Sequence, residues 1–241
     1  MLIEDVTSAL VVFAHCDDAE WMFGGTVARL VAGGAAVSYV VCTDGSSGGI
    51  DMSVTDAELA ATRAAEQRAA AAVLGVGEVV FLGYHDDQLE VTAGLKRDLV
   101  RQIRRFQPDL LLTMTPFRPM DAPVDWSHGD HMAAGEAALR AAYPEALMPR
   151  IYPELLAEGL EPHAVAEAWV PAIGDADLYV DVSAVVETKM DAVWCHWSQN
   201  GEANGDRGWM FDRHIAPPLR EAGLRIGSRY AERFRRIPIR P

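Results

Sequence analysis

The chain has 241 residues, half of them hydrophobic, which is enough to bury a large core. Its net charge of −14 argues against nucleic acid as a partner, because neutralising phosphates requires clustered Lys and Arg. We expect one domain over residues 1–241, and the composition leaves homo-oligomerisation open.

The cysteines and the apolar runs bear on the cellular compartment. The three cysteines are scattered, and no basic and apolar leader of a secretory signal begins the sequence. These features predict a reducing, cytoplasmic location. No apolar run approaches the roughly 20 residues that a membrane-spanning helix needs, so we expect no integral membrane segment.

Four short apolar runs recur in the first half of the chain, with longer helical patterns between them. They cover residues 9–14, 37–42, 79–82 and 110–114. Continuous hydrophobicity of this kind is typical of strands that are covered on both faces. The alternation of strands and helices predicts an α/β fold built from βαβ units around a mostly parallel sheet.

Two of the helices between these runs have clear sequence signals. Thr55 is followed three residues later by Glu58, a capping-box pattern that predicts the start of the second helix. A stripe of apolar residues at helical spacing predicts the third helix, with Pro108 just beyond its end. The stripe consists of Leu95, Leu99, Ile103 and Phe106.

The remaining chain is less regular. Residues 115–130 contain several prolines and no periodicity, which predicts a long loop of the kind that often carries function. Strands are expected near residues 168–170 and 178–182, and a helix from about 183 to 197. Because no repeat or flexible linker divides the chain, we expect this second half to extend the same sheet.

Polar side chains follow the first and fourth predicted strands. The run His15-Cys16-Asp17-Asp18-Ala19-Glu20 comes directly after the first, and His128-Gly129-Asp130-His131 follows the long loop after the fourth. Ligands bind at the carboxyl ends of strands in open α/β sheets, so the two clusters can converge. His15, Asp18 and His131 would supply the three protein ligands of a catalytic zinc site. Taken alone, the first cluster could equally cap a helix.

The first cluster, followed by Gly24-Gly25-Thr26, resembles the opening motif of the LmbE-like or PIG-L family of zinc-dependent N-deacetylases. Further segments follow family patterns in order: Thr43-Asp44-Gly45, Arg63, Glu66, Gly83-Tyr84-His85-Asp86, the His128–His131 cluster, Lys189, Ala192, His196, Ser198, Gln199 and Ala231-Glu232-Arg233-Phe234. The two His/Asp motifs are specific, and the others are weak alone. The resemblance implies a Rossmann-like three-layer sandwich with a mostly parallel central sheet.

Carried over by position, the family's metal ligands fall on His15, Asp18 and His131. The resemblance implies one Zn²⁺ per chain, and another divalent metal could take its place. The sequence departs from the family at Cys16 and Gly129, where relatives usually have proline. Cys16 could act as a thiolate ligand, but we expect it to point away from the site as a small apolar side chain.

The resemblance also assigns catalytic roles. It implies that Asp17 is the general base, that His128 polarises the amide carbonyl, and that Asp130 orients His128. Zinc can lower the pKa of a bound water to near 7. Asp17 would take up the proton of that water and return it to the leaving amine. The products would be a carboxylate, acetate in the case of an N-acetyl amide, and a free amine.

Substrate contacts are expected from Arg63 and Asp86, whose positions in relatives face a sugar-like group. A guanidinium and a carboxylate can both hydrogen-bond vicinal hydroxyls, although a surface ion pair would explain them equally well. His196 could reach the site or pack in the core beside the neighbouring tryptophans. The expected partner is a small N-acylated molecule, such as an amino-sugar conjugate.

Three other functions compete with this hypothesis. Residues 45–49 match the Gly-x-Ser-x-Gly pattern of serine hydrolases, with Ser47 as nucleophile. That pattern should turn directly into a helix, yet several residues separate it from the cap at Thr55. A nucleotide-binding domain would carry a glycine-rich motif directly after the first strand, and this sequence has His15–Glu20 there instead. A non-catalytic metal-binding protein would bind zinc without cleaving an amide.

Overall fold

The computed structural model describes residues 1–118, 120, 124, 127–172, 174–201 and 205–239. A seven-stranded sheet is flanked by helices. The strands are β1 (Ser8–Phe13), β2 (Ala36–Thr43), β3 (Glu78–Tyr84), β4 (Leu110–Thr113), β5 (Glu167–Pro171), β6 (Leu178–Asp181) and β7 (Ala231–Pro238). The helices are α1 (Asp18–Ala32), α2 (Asp56–Leu74), α3 (Ala93–Phe106), α4 (Gly129–Arg140), α5 (Glu154–Ala157), α6 (Val186–Trp194), α7 (Trp197–Asn200), α8 (Arg207–Met210) and α9 (Ala216–Leu224).

The strand order is β3-β2-β1-β4-β5-β7-β6. Strands β1 to β5 pair in parallel, whereas β7 is antiparallel to both of its neighbours. The expected α/β fold with a mostly parallel sheet is confirmed. Over the described ranges, no helix is both long and apolar enough to cross a bilayer.

Helices cover both faces of the sheet. Helices α1, α2 and α6 pack against one another, and α3 packs with α4. The central strands β1 and β4 are buried along nearly their whole length, which explains their continuous hydrophobicity in the sequence. Each of the four strands expected in the first half lies within two residues of its predicted bounds.

The predicted helix signals are also confirmed. The Thr55 hydroxyl accepts a hydrogen bond from the backbone N–H of Glu58, and the Glu58 carboxylate accepts one from the N–H of Thr55. The apolar stripe of α3 faces the core, where Leu95, Leu99 and Ile103 are fully buried. This amphipathic packing fixes α3 on the sheet.

The second half of the chain extends the same sheet, as expected, but its details differ from the prediction. The helix expected over about 183–197 is shorter and covers Val186–Trp194. Strand β7 was not predicted, because its charged residues hide the apolar pattern in the sequence. Its buried Phe234 and Glu232 are recognisable as inward-facing positions once β5 and β6 flank the strand.

Glu232 explains why α1 carries a glycine followed by a threonine at Gly25 and Thr26. Its carboxylate accepts hydrogen bonds from the N–H groups of Gly25 and Thr26, from the Thr26 hydroxyl, and from Lys189 Nζ at 2.6 Å. A Cβ atom on Gly25 would lie 2.6 Å from Val182 Cγ1, so a larger residue cannot fit. These segments of the family motif therefore join α1 to β7 and α6.

Replacing Lys189 with Met should destabilise the fold by about 3 kcal/mol, because it leaves the Glu232 carboxylate buried without its cation. The free energy of unfolding in urea measures the effect. Arg140→Met is the control, since it breaks an exposed ion pair with Glu136 that contributes about 0.5 kcal/mol. Equal effects of the two substitutions would show that the buried pair has no special role in stability.

Candidate active site

The site lies where the strand order reverses. The chain moves outward from β1 to β2 and β3, then returns to place β4 on the other side of β1. Such a reversal opens a crevice at the carboxyl ends of the two central strands. The first cluster follows β1, and His128 caps α4 in the segment that follows β4. The fold therefore brings the two predicted clusters together.

The three predicted metal ligands converge. His131 Nε2 lies 3.0 Å from Asp18 Oδ1 and 3.2 Å from His15 Nδ1, and His15 Nδ1 lies 3.5 Å from Asp18 Oδ2. All three side chains are largely buried. Donors bound at about 2.0–2.1 Å around a tetrahedral ion are about 3.3 Å apart, so the observed spacing fits such an ion.

His15 is held by carboxylates on its other side. Its Nε2 lies 3.1 Å from Asp86 Oδ1 and 3.2 Å from Asp130 Oδ2. Burial lowers the pKa of His15, but hydrogen bonds with Asp130, Asp18 and Asp86 outweigh it and raise the pKa to about 12. With its Nε2 proton donated to these carboxylates, the ring directs Nδ1 towards His131 and Asp18, as a metal ligand requires.

A second set of donors shares His15. His15, His128 and Asp130 also offer ligand atoms within 4.8 Å of one another. The carboxylate of Asp130 already accepts hydrogen bonds from the backbone N–H groups of Asp87 and Leu89. Together with the contact to His15 Nε2, these bonds engage both Asp130 oxygens with groups other than His128, whereas Asp18 Oδ1 faces His131, so the set of His15, Asp18 and His131 is the better candidate.

Asp17 stands beside the ligands with an unusual backbone. Its φ of 98° and ψ of −31° lie in a region that non-glycine residues rarely adopt. The residue is the N-cap of α1, yet its side chain makes no cap hydrogen bond and lines the cleft. Burial and the neighbouring Asp18 raise the pKa of Asp17 to about 7. This carboxylate is suited to exchanging protons near neutral pH.

His128 differs from the sequence expectation in its partner. Its Nδ1 accepts a hydrogen bond from the backbone N–H of Asp130 at 3.2 Å, so the neutral ring carries its proton on Nε2. The Asp130 carboxylate instead contacts His15. Asp130 therefore orients His128 through its backbone, and its side chain orients a proposed metal ligand. Sequence spacing could not separate these two contacts.

Arg63 and Asp86 line the same cleft, which has a volume of about 470 Å³. Both are buried, so they do not form a surface ion pair. Arg63 donates to the carbonyl oxygens of Cys16 and Gly45 at 2.8 and 2.9 Å, and Nη1 lies 3.8 Å from Asp86 Oδ2. The guanidinium thus braces two loops that border the cleft.

Two residues with open roles lie outside the cleft. Cys16 packs in the hydrophobic core, and burial raises the pKa of its thiol to about 12. This favours the apolar role over thiolate ligation. His196 is fully buried and lies 3.0 Å from a carboxylate oxygen of Glu20, so it belongs to the core rather than to the cleft wall.

Two residues that lie behind the site have no role predicted from the sequence. Gln67 and Glu20 form a buried polar network with His196, and Gln67 also contacts the backbone of Asp17. Glu20 belongs to the first motif, which could have drawn attention to it. Gln67 lies in a helix rich in alanine, and no spacing links it to the site.

The serine-hydrolase alternative needs an activated Ser47. Its hydroxyl donates to the backbone carbonyl of Asp86, and its N–H donates to the Asp86 carboxylate. Helix α2 begins at Asp56, well beyond the glycine pattern. These contacts give Ser47 a structural role in the loop and do not support a nucleophile.

Ser47→Ala should keep activity within about tenfold of wild type, because it removes one neutral hydrogen bond of about 1 kcal/mol. Loss of a serine nucleophile costs about 10⁶-fold instead. Steady-state kinetics of the variant measures the difference. As an independent check, serine-directed phosphonate labelling at Ser47 with full activity in chelator would contradict the metal site.

The central crevice of the sheet holds a His-His-Asp donor set and an adjacent carboxylate. These features place the protein among α/β proteins with a candidate hydrolytic metal centre. The model of the GlcNAc-PI de-N-acetylase (PIG-L) family matches residues 10–142. The chain belongs to this family, which confirms the resemblance seen in its motifs.

Named relatives match almost the whole chain. Diacetylchitobiose deacetylase of Thermococcus kodakarensis is 32% identical over 97% of this chain and 84% of that protein. The 1D-myo-inositol 2-acetamido-2-deoxy-alpha-D-glucopyranoside deacetylase of Rhodococcus jostii is 28% identical over 87% of both proteins. The solved N,N'-diacetylchitobiose deacetylase of Pyrococcus horikoshii has 29% identity and a TM-score of 0.88, covering 98% of this chain and 86% of that one. The chain has the fold and the relatives of a hydrolytic N-deacetylase.

Proposed function

We propose that the protein hydrolyses the N-acetyl amide of an amino sugar or a small amino-sugar conjugate, releasing acetate and a free amine. The observation that carries the proposal is the convergence of His15, Asp18 and His131 beside the carboxylate of Asp17. The deacetylase relatives support the reaction type and the substrate class.

We propose zinc as the metal, one ion per chain, held by His15, Asp18 and His131. Two imidazole nitrogens and one carboxylate oxygen leave a position for water, as in catalytic zinc sites. When bound, the ion would acidify a water molecule and polarise the amide carbonyl. Other divalent metals accept the same donors, so coordination geometry and metal availability decide which one is used.

Asp17 acts as the general base in this proposal. Its carboxylate accepts a proton from the attacking water and later gives that proton to the leaving nitrogen. A pKa of about 7 suits both steps, since the group is then neither a very weak base nor a very weak acid at neutral pH.

His128 stabilises the charge that develops on the amide oxygen. Because its Nδ1 accepts the N–H of Asp130, the Nε2 proton is the one available for donation into the cleft. Asp130 contributes twice, through this backbone contact and through the hydrogen bond between its carboxylate and His15.

Arg63 and Asp86 form the polar wall proposed to contact the substrate. Asp86 can accept hydrogen bonds from sugar hydroxyls, while Arg63 adds positive charge to a cleft rich in carboxylates. Burial raises the pKa of Asp86, but the hydrogen bond and charge of His15, the backbone N–H of Ser47 and the charge of Arg63 together outweigh it and lower the pKa to about 2. Asp86 is therefore an acceptor at all relevant pH values.

We also propose that residues 1–241 form one domain that works in the cytoplasm. Strands from both halves of the chain share one sheet, which supports the first point. All three cysteines lie within the described residues and are free thiols, which is compatible with a reducing compartment.

A panel of N-acetylated amino sugars and their conjugates tests the function. Released acetate should appear with one substrate class, disappear after chelation and return when zinc is added. An N-acetylated amino acid serves as the control substrate. If no member of the panel releases acetate from the metal-loaded protein, the proposed activity is wrong.

A further inference from the structure

The backbone of Asp17 needs support that α1 does not provide. An N-cap residue normally has negative φ and caps the helix with its own side chain. Asp17 has a φ of 98° and makes no such bond, a conformation that is strained for any residue other than glycine. This conformation places the Asp17 carboxylate in the cleft and not at the end of the helix.

Gln67 on α2 accepts a hydrogen bond from the backbone N–H of Asp17. Its Oε1 accepts from Asp17 N at 3.0 Å. In an ordinary capping box that N–H would go to the residue three positions into the helix, which here is Glu20. The Gln67 amide bridges the gap, because its Nε2 donates to both Glu20 carboxylate oxygens at 3.0 and 3.1 Å.

The side-chain amide of Gln67, which connects Asp17 to Glu20, is held in one orientation. Gln67, Glu20 and His196 are all 0% exposed, and His196 Nε2 lies 3.0 Å from Glu20 Oε2. No partner for His196 Nδ1 is found in the described part of the chain, which favours the tautomer that donates from Nε2. Rotating the amide of Gln67 would place its NH₂ against the N–H of Asp17 and its oxygen against a carboxylate, so its orientation is set.

We propose that Gln67 is a positioning residue for Asp17. It stabilises the positive φ of Asp17 by accepting its N–H, while Glu20 and His196 lock the amide in place. The inference rests on the proposed function for the catalytic role of Asp17. The backbone contact itself stands apart from that role and can be tested separately.

Gln67→Met keeps the size of the side chain and removes all three of its hydrogen bonds to Asp17 and Glu20. We expect kcat to fall about 10- to 100-fold, because small displacements of a catalytic group have effects of this size. KM should change less than about threefold and metal content should match wild type, since the lost bonds go to the backbone of Asp17 and to Glu20, and not to the proposed substrate contacts or metal ligands. A purely structural role would lower the unfolding midpoint and leave kcat of the folded enzyme unchanged, which would overturn the proposal.

Gln102→Met is the matched control. Gln102 is a buried amide on α3, and its Oε1 has no partner among the described residues. The control should keep the kcat of wild type. An equal loss of kcat in both variants would assign the effect to loss of a buried amide in general and overturn the specific role of Gln67.

Gln67→Glu tests for rescue. The new carboxyl group keeps an acceptor for the N–H of Asp17 and can share one proton with Glu20, so the pair retains its net charge. We expect kcat within about fivefold of wild type. If this variant carries full metal yet loses as much kcat as Gln67→Met, the hydrogen bond to Asp17 is not the cause. This variant also decides the question if Gln67→Met does not fold.

A crystal structure of Gln67→Met separates failure of this inference from failure of the proposed function. If wild type releases no acetate from the substrate panel, the proposed function fails, but the structure still decides the positioning role. Loss of the positive φ at Asp17 supports that role. An unchanged Asp17 backbone overturns it, whatever the activity.

Discussion

Asp17→Asn lowers kcat by about 10²–10⁴-fold and leaves metal content at the wild-type level, if Asp17 is the general base. The amide keeps the size and most hydrogen bonds of the carboxylate but cannot take up a proton. Asp18→Asn instead weakens metal binding, because a neutral amide is a poorer donor to zinc than a carboxylate. Kinetics and metal analysis on the same preparations separate the two roles.

The two variants form a matched pair, because they make the same substitution at adjacent residues with different surroundings. Asp17 and Asp18 are neighbours, yet Asp18 contacts both proposed ligand histidines and Asp17 lines the cleft. Should Asp17→Asn lose the metal while Asp18→Asn keeps metal but not turnover, the two roles must be exchanged. If both variants stay active, the site is misplaced.

His131→Ala should lose bound metal and, with it, activity. Removing one of three ligands should weaken metal affinity by more than about 100-fold, since even residues that only orient ligands contribute 10- to 100-fold. Metal content after identical purification measures the effect. His214→Ala is the control, because His214 makes an edge-on contact with Trp209 and does not line the cleft. Equal metal content in wild type and His131→Ala would rule out the proposed coordination.

The pH dependence of metal binding is a second measurement on the same site. Although burial lowers the pKa of His15, hydrogen bonds with Asp130, Asp18 and Asp86 raise it to about 12. The ring therefore carries an additional proton between pH 6 and 8, and a metal must displace it. Apparent affinity should rise with pH by about tenfold per unit for one displaced proton. An affinity that is flat or falls with pH contradicts this electrostatic account of the site.

The framework of the fold could be predicted from the amino-acid sequence. Continuous apolar runs located the parallel strands, because strands covered on both faces have no polar side to alternate with. The capping pair Thr55 and Glu58 and the stripe of α3 are local signals, and both helices form where these signals predict. Strand β7 was not predicted, because which of its residues face inward depends on pairing with β5 and β6, which are distant in the sequence.

The sequence also located the candidate metal ligands. In a parallel sheet, side chains that follow neighbouring strands meet at one edge, so two His/Asp clusters after strands are enough to predict convergence. His15, Asp18 and His131 do converge. Their proximity follows from the pairing of β4 with β1, which periodicity alone does not give.

Which group each of these side chains contacts depends on the three-dimensional packing and could not be predicted from the sequence. Asp130 lies next to His131 in the sequence, yet its carboxylate bonds to His15 from across the crevice. Gln67 reaches Asp17 from another helix, and the reason is a single backbone angle at Asp17 that no residue pattern encodes. Hydrogen bonds form or fail over a few tenths of an ångström, whereas sequence spacing limits positions only to several ångströms.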